Sequence, residues 1–249
     1  LRLHSLGLNK TEIASSCRCA RNTVAATPQH AANCGLQWPL PEDEAFDMTD
    51  PAHIRAVAER FKAEGLRPLV VEPMPNSVHD HIKRADALRD ASIEKVLQMI
   101  PLLAENGFTT ICMNFMAEIG WLRTTSVYPE RGGALATAFC LEDAKIDPSL
   151  TVSEQALWDR LSYFLDAVVP QAERCGIRIA LHLDDPPLQK LGGLSRILIS
   201  RDAMQKAIDL HKSDCLGITM CQANFAAMGE DVYECLSLIH ISEPTRPIS

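Results

Sequence analysis

Arg178-Ile-Ala-Leu-His-Leu-Asp-Asp-Pro-Pro187 decides how this chain folds: a short apolar strand that ends on a histidine and then breaks at a proline pair. One strand-helix unit later, Gly217-Ile-Thr-Met-Cys-Gln-Ala-Asn-Phe225 repeats the pattern with a cysteine at the tip. In a parallel barrel the C-terminal ends of neighbouring strands open on one mouth, so His182 and Cys221 are expected to face a common ion although far apart in sequence.

Outward from this stretch, amphipathic helices alternate with apolar strands. Pro51 to Gly65 reads as a helix with Ile54, Val57, Ala58 and Phe61 on one face, followed by a strand over Pro68 to Pro73. Ala91 to Asn106 is the next helix and Thr109 to Phe115 the next strand, and a long helix from Val152 to Cys175 leads to the strand at Ile177. Gly107 and Gly176 stand where helix C-caps belong. Strands separated by helices of this length predict a parallel sheet, and their near-continuous apolar character predicts that both faces are covered. About four strands are visible, and the residues after the N-terminal head fall short of the roughly 250 that a closed eight-stranded barrel needs. The fold class expected is therefore α/β, a partial TIM (β/α)8 barrel with open edges.

The chain has 249 residues, 47% of them apolar, and a net charge of −8. Nine cysteines in an irregular, odd set argue for reduced thiols over a disulfide framework. No run approaches the roughly 18 apolar residues of a membrane span, and Leu1-Arg-Leu-His-Ser5 lacks the regions of a signal peptide, so a cytoplasmic protein with no membrane partner is expected. The charge is uneven. Arg2, Lys10, Arg18 and Arg21 against Glu12 give residues 1–40 a balance of +3, which leaves −11 for the rest. An acidic body disfavours nucleic acid and leaves DNA as a partner for the head alone.

Within that head, Asn9 can cap a first short helix and Ala20 or Asn22 can open a second, with Ile13, Ala14 and Val24 as the apolar faces and Arg21, Asn22 and Thr23 projecting from the second. The phrase resembles the N-terminal helix-turn-helix of insertion-sequence transposases, with Gly35-Leu-Gln-Trp-Pro-Leu-Pro-Glu-Asp43 similar to their linker. Pro28 departs from that pattern and would shorten the recognition helix. Residues 1–44 are thus expected to be a foreign helix-turn-helix-like segment, and residues 50–235 an incomplete barrel. Residues 236–249, including Leu236-Ser-Leu-Ile-His-Ile-Ser-Glu-Pro-Thr-Arg246, look like the conceptual translation of a sequencing-library adapter, which removes His240 from any ligand set.

The body resembles the mannonate dehydratases of hexuronate catabolism, whose metal-dependent barrel is similar to that of the xylose isomerases. Four blocks in order carry the resemblance: Val78-His-Asp-His-Ile-Lys83; Cys112-Met-Asn-Phe-Met116 with Trp121-Leu-Arg-Thr124; His182-Leu-Asp-Asp-Pro-Pro187; and Cys221-Gln-Ala-Asn-Phe225 with Met228-Gly-Glu-Asp231. Ala117 and Leu183 stand where the family's phrases have proline. The resemblance implies dehydration of D-mannonate, a small aldonate, to 2-keto-3-deoxygluconate, with Mn2+ or Fe2+ as cofactor, in an intact enzyme that forms a homo-oligomer. It assigns His182 and Cys221, the latter as thiolate, as metal ligands, with a further His and Asp expected on later strands. Asp184 and Asp185 are read either as partners of the metal ligands or as caps of the following helix.

A proton next to a carboxylate is weakly acidic, so such a dehydration needs a cation on the carboxylate, one group to take the proton and another to protonate the departing hydroxyl. Glu72, ending a strand at the same mouth, and His79 beyond it are the candidates for proton transfer or hydroxyl binding. Asn114 at its strand tip is a candidate hydroxyl binder and Arg123 a candidate partner for the substrate carboxylate. Two other functions fit parts of the chain. One is a transposase-related DNA-binding protein, through the head; the other is a sugar isomerase on the same barrel, which the His-plus-Cys pair disfavours because such sites favour carboxylates.

Overall fold

A computed structural model describes residues 7–17, 24–25 and 47–236. Its contacts divide the chain into two units: Leu1–Phe46 with Arg123–Lys145, and Asp47–Leu122 with Ile146–Ser249.

In the first unit, α1 (Lys10–Cys17) starts where Asn9 was expected to cap it. Asn9 Oδ1 accepts from the amides of Thr11 at 2.9 Å and Glu12 at 3.1 Å, and Glu12 returns a carboxylate oxygen to the Asn9 amide at 2.7 Å, a reciprocal capping box. Ile13, Ala14 and Val24 form a small buried cluster with Leu8 packed against it. Arg21, Asn22, Pro28 and the expected linker lie outside the described residues, as does His240. The unit also holds an antiparallel hairpin that the sequence reading missed, in which β3 (Thr125–Pro129) pairs with β4 (Leu135–Ala138) around the turn Arg131–Gly133.

The second unit is built on a four-stranded, wholly parallel sheet. Its strands are β1 (Val70–Val71), β2 (Thr110–Met113), β6 (Arg178–Leu181) and β9 (Leu216–Ile218), in spatial order β1-β2-β6-β9. The helices that carry the chain back between strands are α3 (Asn76–Arg84), α4 (Arg89–Glu105), α5 (Glu154–Cys175) and α6 (Arg201–Asp209), with α2 (Pro51–Ala63) before the sheet and α7 (Gln222–Ala227) and α8 (Val232–Cys235) after it. This is the (β/α) barrel architecture, present as an open arc with β1 and β9 at its edges. A small side sheet joins β5 (Thr151–Val152), β8 (Gly193–Ser195) and β7 (Lys190–Leu191).

Local chemistry accounts for the helix ends. Asp50 caps α2 at the Ala52 amide with Pro51 in the first turn, and Ser153 and Ser200 cap α5 and α6 at the Ala156 and Ala203 amides. Gly176 ends α5 in the left-handed region at φ 65°, where a β-carbon would be strained, and its N–H returns to the last turn. Asp231 caps α8 through the amides of Tyr233 and Glu234.

Two expectations about burial are corrected. Ile54 and Ala58 are buried on α2, but Phe61 is 42% exposed, because the stripe turns away from the core in the last turns of the helix. The sheet is not covered throughout, since Leu69 and Val70 of the edge are exposed. The core proper lies between the sheet and its helices, where Val96, Ile100 and Leu103 of α4 and Leu161, Phe164, Leu165 and Val168 of α5 are all buried.

Candidate active site

Register determines which side chains share the mouth. Cys112 pairs with Ala180, and Ala180 with Gly217. Cys112 Sγ lies 2.9 Å from Thr219 Oγ1, just past β9, although β6 runs between those strands. That contact places Cys112 and Thr219 on the concave, inner face. Side chains alternate along a strand, so Asn114, His182 and Thr219 form the next inner row, with Glu72 leaving β1 at the level of Cys112. The residues between, Ile111, Met113, Ile179, Leu181 and Leu216, face the helices and are all buried.

His182 is half-buried, and its ring meets Trp121 edge to face at 5.8 Å between centroids. Its Nδ1 lies 2.7 Å from the Leu183 carbonyl, an acceptor, so the neutral tautomer this contact selects carries its proton on Nδ1 and leaves Nε2 as the donor atom. That is the tautomer a metal ligand requires. Cys221 follows β9 by three residues and opens α7, its amide donating to the Thr219 carbonyl at 2.9 Å. Burial pushes the Cys112 thiol up to about 11; Thr219 opposes the shift, while the Glu72 carboxylate and Cys221 add to it. Glu72, Thr219 and Cys221 therefore all lie near the Cys112 thiol on the inner face. Among the described residues no set of three or more His, Cys, Asp and Glu side chains is gathered to hold a metal ion. His182 and Cys221 supply one imidazole and one sulfur on adjoining strand ends, a donor pair that supplies part of a site for a divalent transition-metal ion and, without carboxylate ligands from elsewhere, suits Fe2+ better than Mn2+.

Behind Asn114 lies a buried polar set that sequence reading did not foresee. Lys83 is 1% exposed, and its Nζ donates to Asn76 Oδ1 at 3.1 Å and Asn114 Oδ1 at 3.0 Å, with Asp80 at 3.7 Å. Burial lowers its pKa to about 8 against the pull of Asp80 and Asp184. Asp184 is fully buried. It accepts from the Ile197 and Leu198 amides at 3.0 and 3.1 Å; burial raises its pKa, and the Arg196 charge acts in the opposite sense. Its side chain thus ties a loop to the strand end, and α6 is capped by Ser200, which removes the helix-cap reading of Asp184. Asp185, half-buried, donates its amide to Met116 Sδ at 3.2 Å and raises the Arg196 pKa.

His79 is also fully buried, so neither the surface-histidine reading nor direct exposure to the mouth describes it. Nδ1 lies 2.9 Å from the Pro75 carbonyl, and burial, reinforced by the Lys83 charge, lowers its pKa to about 3. His81 instead meets Asp86 at 2.8 Å near the surface. Among the described residues five buried polar side-chain atoms have no hydrogen-bond partner: His79 Nε2, Asn114 Nδ2, Asp184 Oδ1, and Arg196 Nε and Nη1. Each such atom costs about 1–3 kcal/mol unless something is bound to it. The sequence did carry a signal, because Val78, His79, Ile82 and Lys83 make one helical stripe, and a His and a Lys on an apolar stripe are buried polar groups. Arg123 belongs to the first unit. The two positions that depart from proline, Ala117 and Leu183, are both buried.

A family model described as D-mannonate dehydratase (UxuA) matches residues 23–149 and 142–241. The chain belongs to the mannonate dehydratase family. The matched span, beginning at residue 23 and ending at residue 241, is wider than the residues 50–235 read from the sequence as the incomplete barrel. Curated mannonate dehydratases from Streptococcus uberis and Streptococcus equi subsp. zooepidemicus are 32% identical over 200 residues and 30% identical over 217 residues, covering 70% and 76% of this chain. The crystal structure of mannonate dehydratase from Streptococcus suis serotype 2 superposes with a TM-score of 0.70 at 30% identity, over 78% of this chain. The chain spans 57–58% of the length of these relatives.

Proposed function

We propose that this chain carries one side of a mannonate dehydratase active site and that the whole protein is a hydro-lyase acting on D-mannonate in glucuronate catabolism. The observation that carries the reading is the inner row: Asn114 and His182 side by side, with Glu72 on one flank and Thr219 and Cys221 on the other, at the ends of four parallel strands. His182 through Nε2 and Cys221 through sulfur would hold a divalent ion, Mn2+ or Fe2+, with the remaining ligands on other strands. Such an ion supplies Lewis-acid polarisation of the substrate carboxylate.

The chain's own groups supply the rest. Glu72, exposed at its strand end, is the group to which this reading assigns proton transfer. Asn114 binds a substrate oxygen. Asp184 steadies the loop after His182, so that the imidazole keeps its direction. His79, buried and held neutral, serves the packing of α3 beneath the mouth rather than exchanging protons with substrate.

The test is titration of the purified chain with Mn2+, and with Fe2+ under anaerobic conditions, followed by D-mannonate. Metal binding is expected to fall at least about tenfold in Cys221→Ser and in His182→Ala, and the Glu72→Gln chain is expected to bind metal normally. Metal affinity equal to wild type in both ligand variants would sink the assignment of this site.

A further inference from the structure

Helix α3 buries a lysine that the dehydratase reading leaves without a task. Lys83 Nζ meets two amide oxygens, Asn76 Oδ1 and Asn114 Oδ1, and an ammonium has donors only. Asn114 Oδ1 takes a second donor, the Met116 amide at 3.2 Å, so both lone pairs of that oxygen are used. Turning the amide over would set its NH2 against the ammonium and against the Met116 N–H, two donor-to-donor contacts at once. The orientation of Asn114 is therefore fixed from below. What remains is Nδ2, with two N–H bonds, buried and without a hydrogen-bond partner, on the inner row beside His182.

We propose that Lys83 is a positioning residue for substrate: it grips Asn114 by Oδ1 so that Nδ2 is presented as a donor to an oxygen of a polyhydroxy acid in the mouth. The inference rests on the dehydratase reading of that mouth. A neutral partner such as Gln or Ser has both donor and acceptor character and would tolerate either orientation of the amide; a lysine excludes one. Burial lowers the Lys83 pKa to about 8, which still leaves it mostly protonated at neutral pH, and Asp80 and Asp184 favour the cation while His79 and Arg196 pack near the same group. Asp80 is too far at 3.7 Å to replace Asn114 as the main acceptor.

The experiment is isothermal titration of the full chain with D-mannonate in the presence of Mn2+, on wild type, Lys83→Met, Asn114→Ala and the double variant, with thermal unfolding of each. Lys83→Met and Asn114→Ala are each expected to weaken mannonate about tenfold, the loss of one hydrogen bond to a charged or polar oxygen. The double variant is expected to bind no worse than Asn114→Ala alone, because the lysine acts only through that amide. Additive losses, or wild-type affinity in folded Lys83→Met, would overturn the proposal. Should Lys83→Met not fold, Asn114→Asp decides: it keeps the oxygen for Lys83 and replaces Nδ2 by an acceptor, so retained stability with lost binding supports the proposal and retained binding overturns it. A wild-type chain that takes up Mn2+ but no mannonate defeats the dehydratase reading itself, and the role of Lys83 falls with it.

Discussion

Met113 and Asn114 are neighbours in the chain and equally buried, yet they belong to opposite kinds of interior. Met113 turns outward with Ile111, Ile179 and Leu181 into an apolar layer that is buried throughout. Asn114 turns inward and forms, with Lys83, Asp184, Arg196 and His79, a polar set in which five buried atoms are left without partners. An apolar layer stabilises through area removed from water and responds little to pH, whereas buried ionisable groups tie stability to protonation. The two sides of one strand therefore separate what holds the fold from what the fold holds in readiness.

The largest expected difference between them is in acid. The His79 pKa is about 3 in the fold against an ordinary 6.5, so between those values the unfolded chain binds a proton that the folded chain refuses, and stability falls as pH falls. The loss sums to on the order of 5 kcal/mol across the window. Urea unfolding at pH 7, 5 and 4 is expected to show a steeper decline in wild type than in His79→Gln; parallel curves would mean that His79 is hydrated in solution.

On the apolar side, Leu181→Ala is expected to cost about 4 kcal/mol at every pH, through lost transfer energy and the cavity left behind. Denaturant midpoints measured at pH 6 and pH 8 check it. A strongly pH-dependent cost would show that the two layers are coupled.

Lys83 gives a slightly smaller effect with the same pH sense as His79, in an alkaline window instead of an acid one. Its folded pKa of about 8 lies below the usual 10.5, so the fold carries the cost of a buried charge at all pH values below 8 and is relieved of it as pH rises through the interval. The relief is about 3 kcal/mol. Comparison of wild type with Lys83→Met from pH 7.5 to 10 should show wild type gaining up to about that amount relative to the variant.

The smallest effect is expected at Gly217, on the inner face, where an added β-carbon meets nothing within 4 Å. Gly217→Ala is expected to change stability by less than about 0.5 kcal/mol, or to raise it slightly. Thermal unfolding suffices, and a loss of several degrees would mean that the inner face is closed rather than open.

The alternation of strands and helices was legible because its periodicities are local. The strands near 70, 110, 178 and 217 are the four of the parallel sheet, though β1 retains only Val70 and Val71 of the expected six residues, since an edge strand has a ladder on one side alone. Asn9, Gly176 and Asp231 act as helix boundaries because capping is decided within a turn. The hairpin at Thr125–Ala138 and the side sheet were not foreseen, as their strands are short, lack a continuous apolar run and pair only once the chain is folded.

For the site, sequence by itself determined the candidates: a histidine and a cysteine ending apolar strands, and the block Val78 to Lys83 that marks the family. Their one-sided exposure on the strand tips follows from chain direction and a period of two, both local properties. Only the tertiary structure decided that His79 is interior, that Asp184 ties down a loop, and that Lys83 holds Asn114. Each of those outcomes depends on which distant groups surround a side chain after burial, and desolvation, unlike helix or strand periodicity, is a property of the assembled fold.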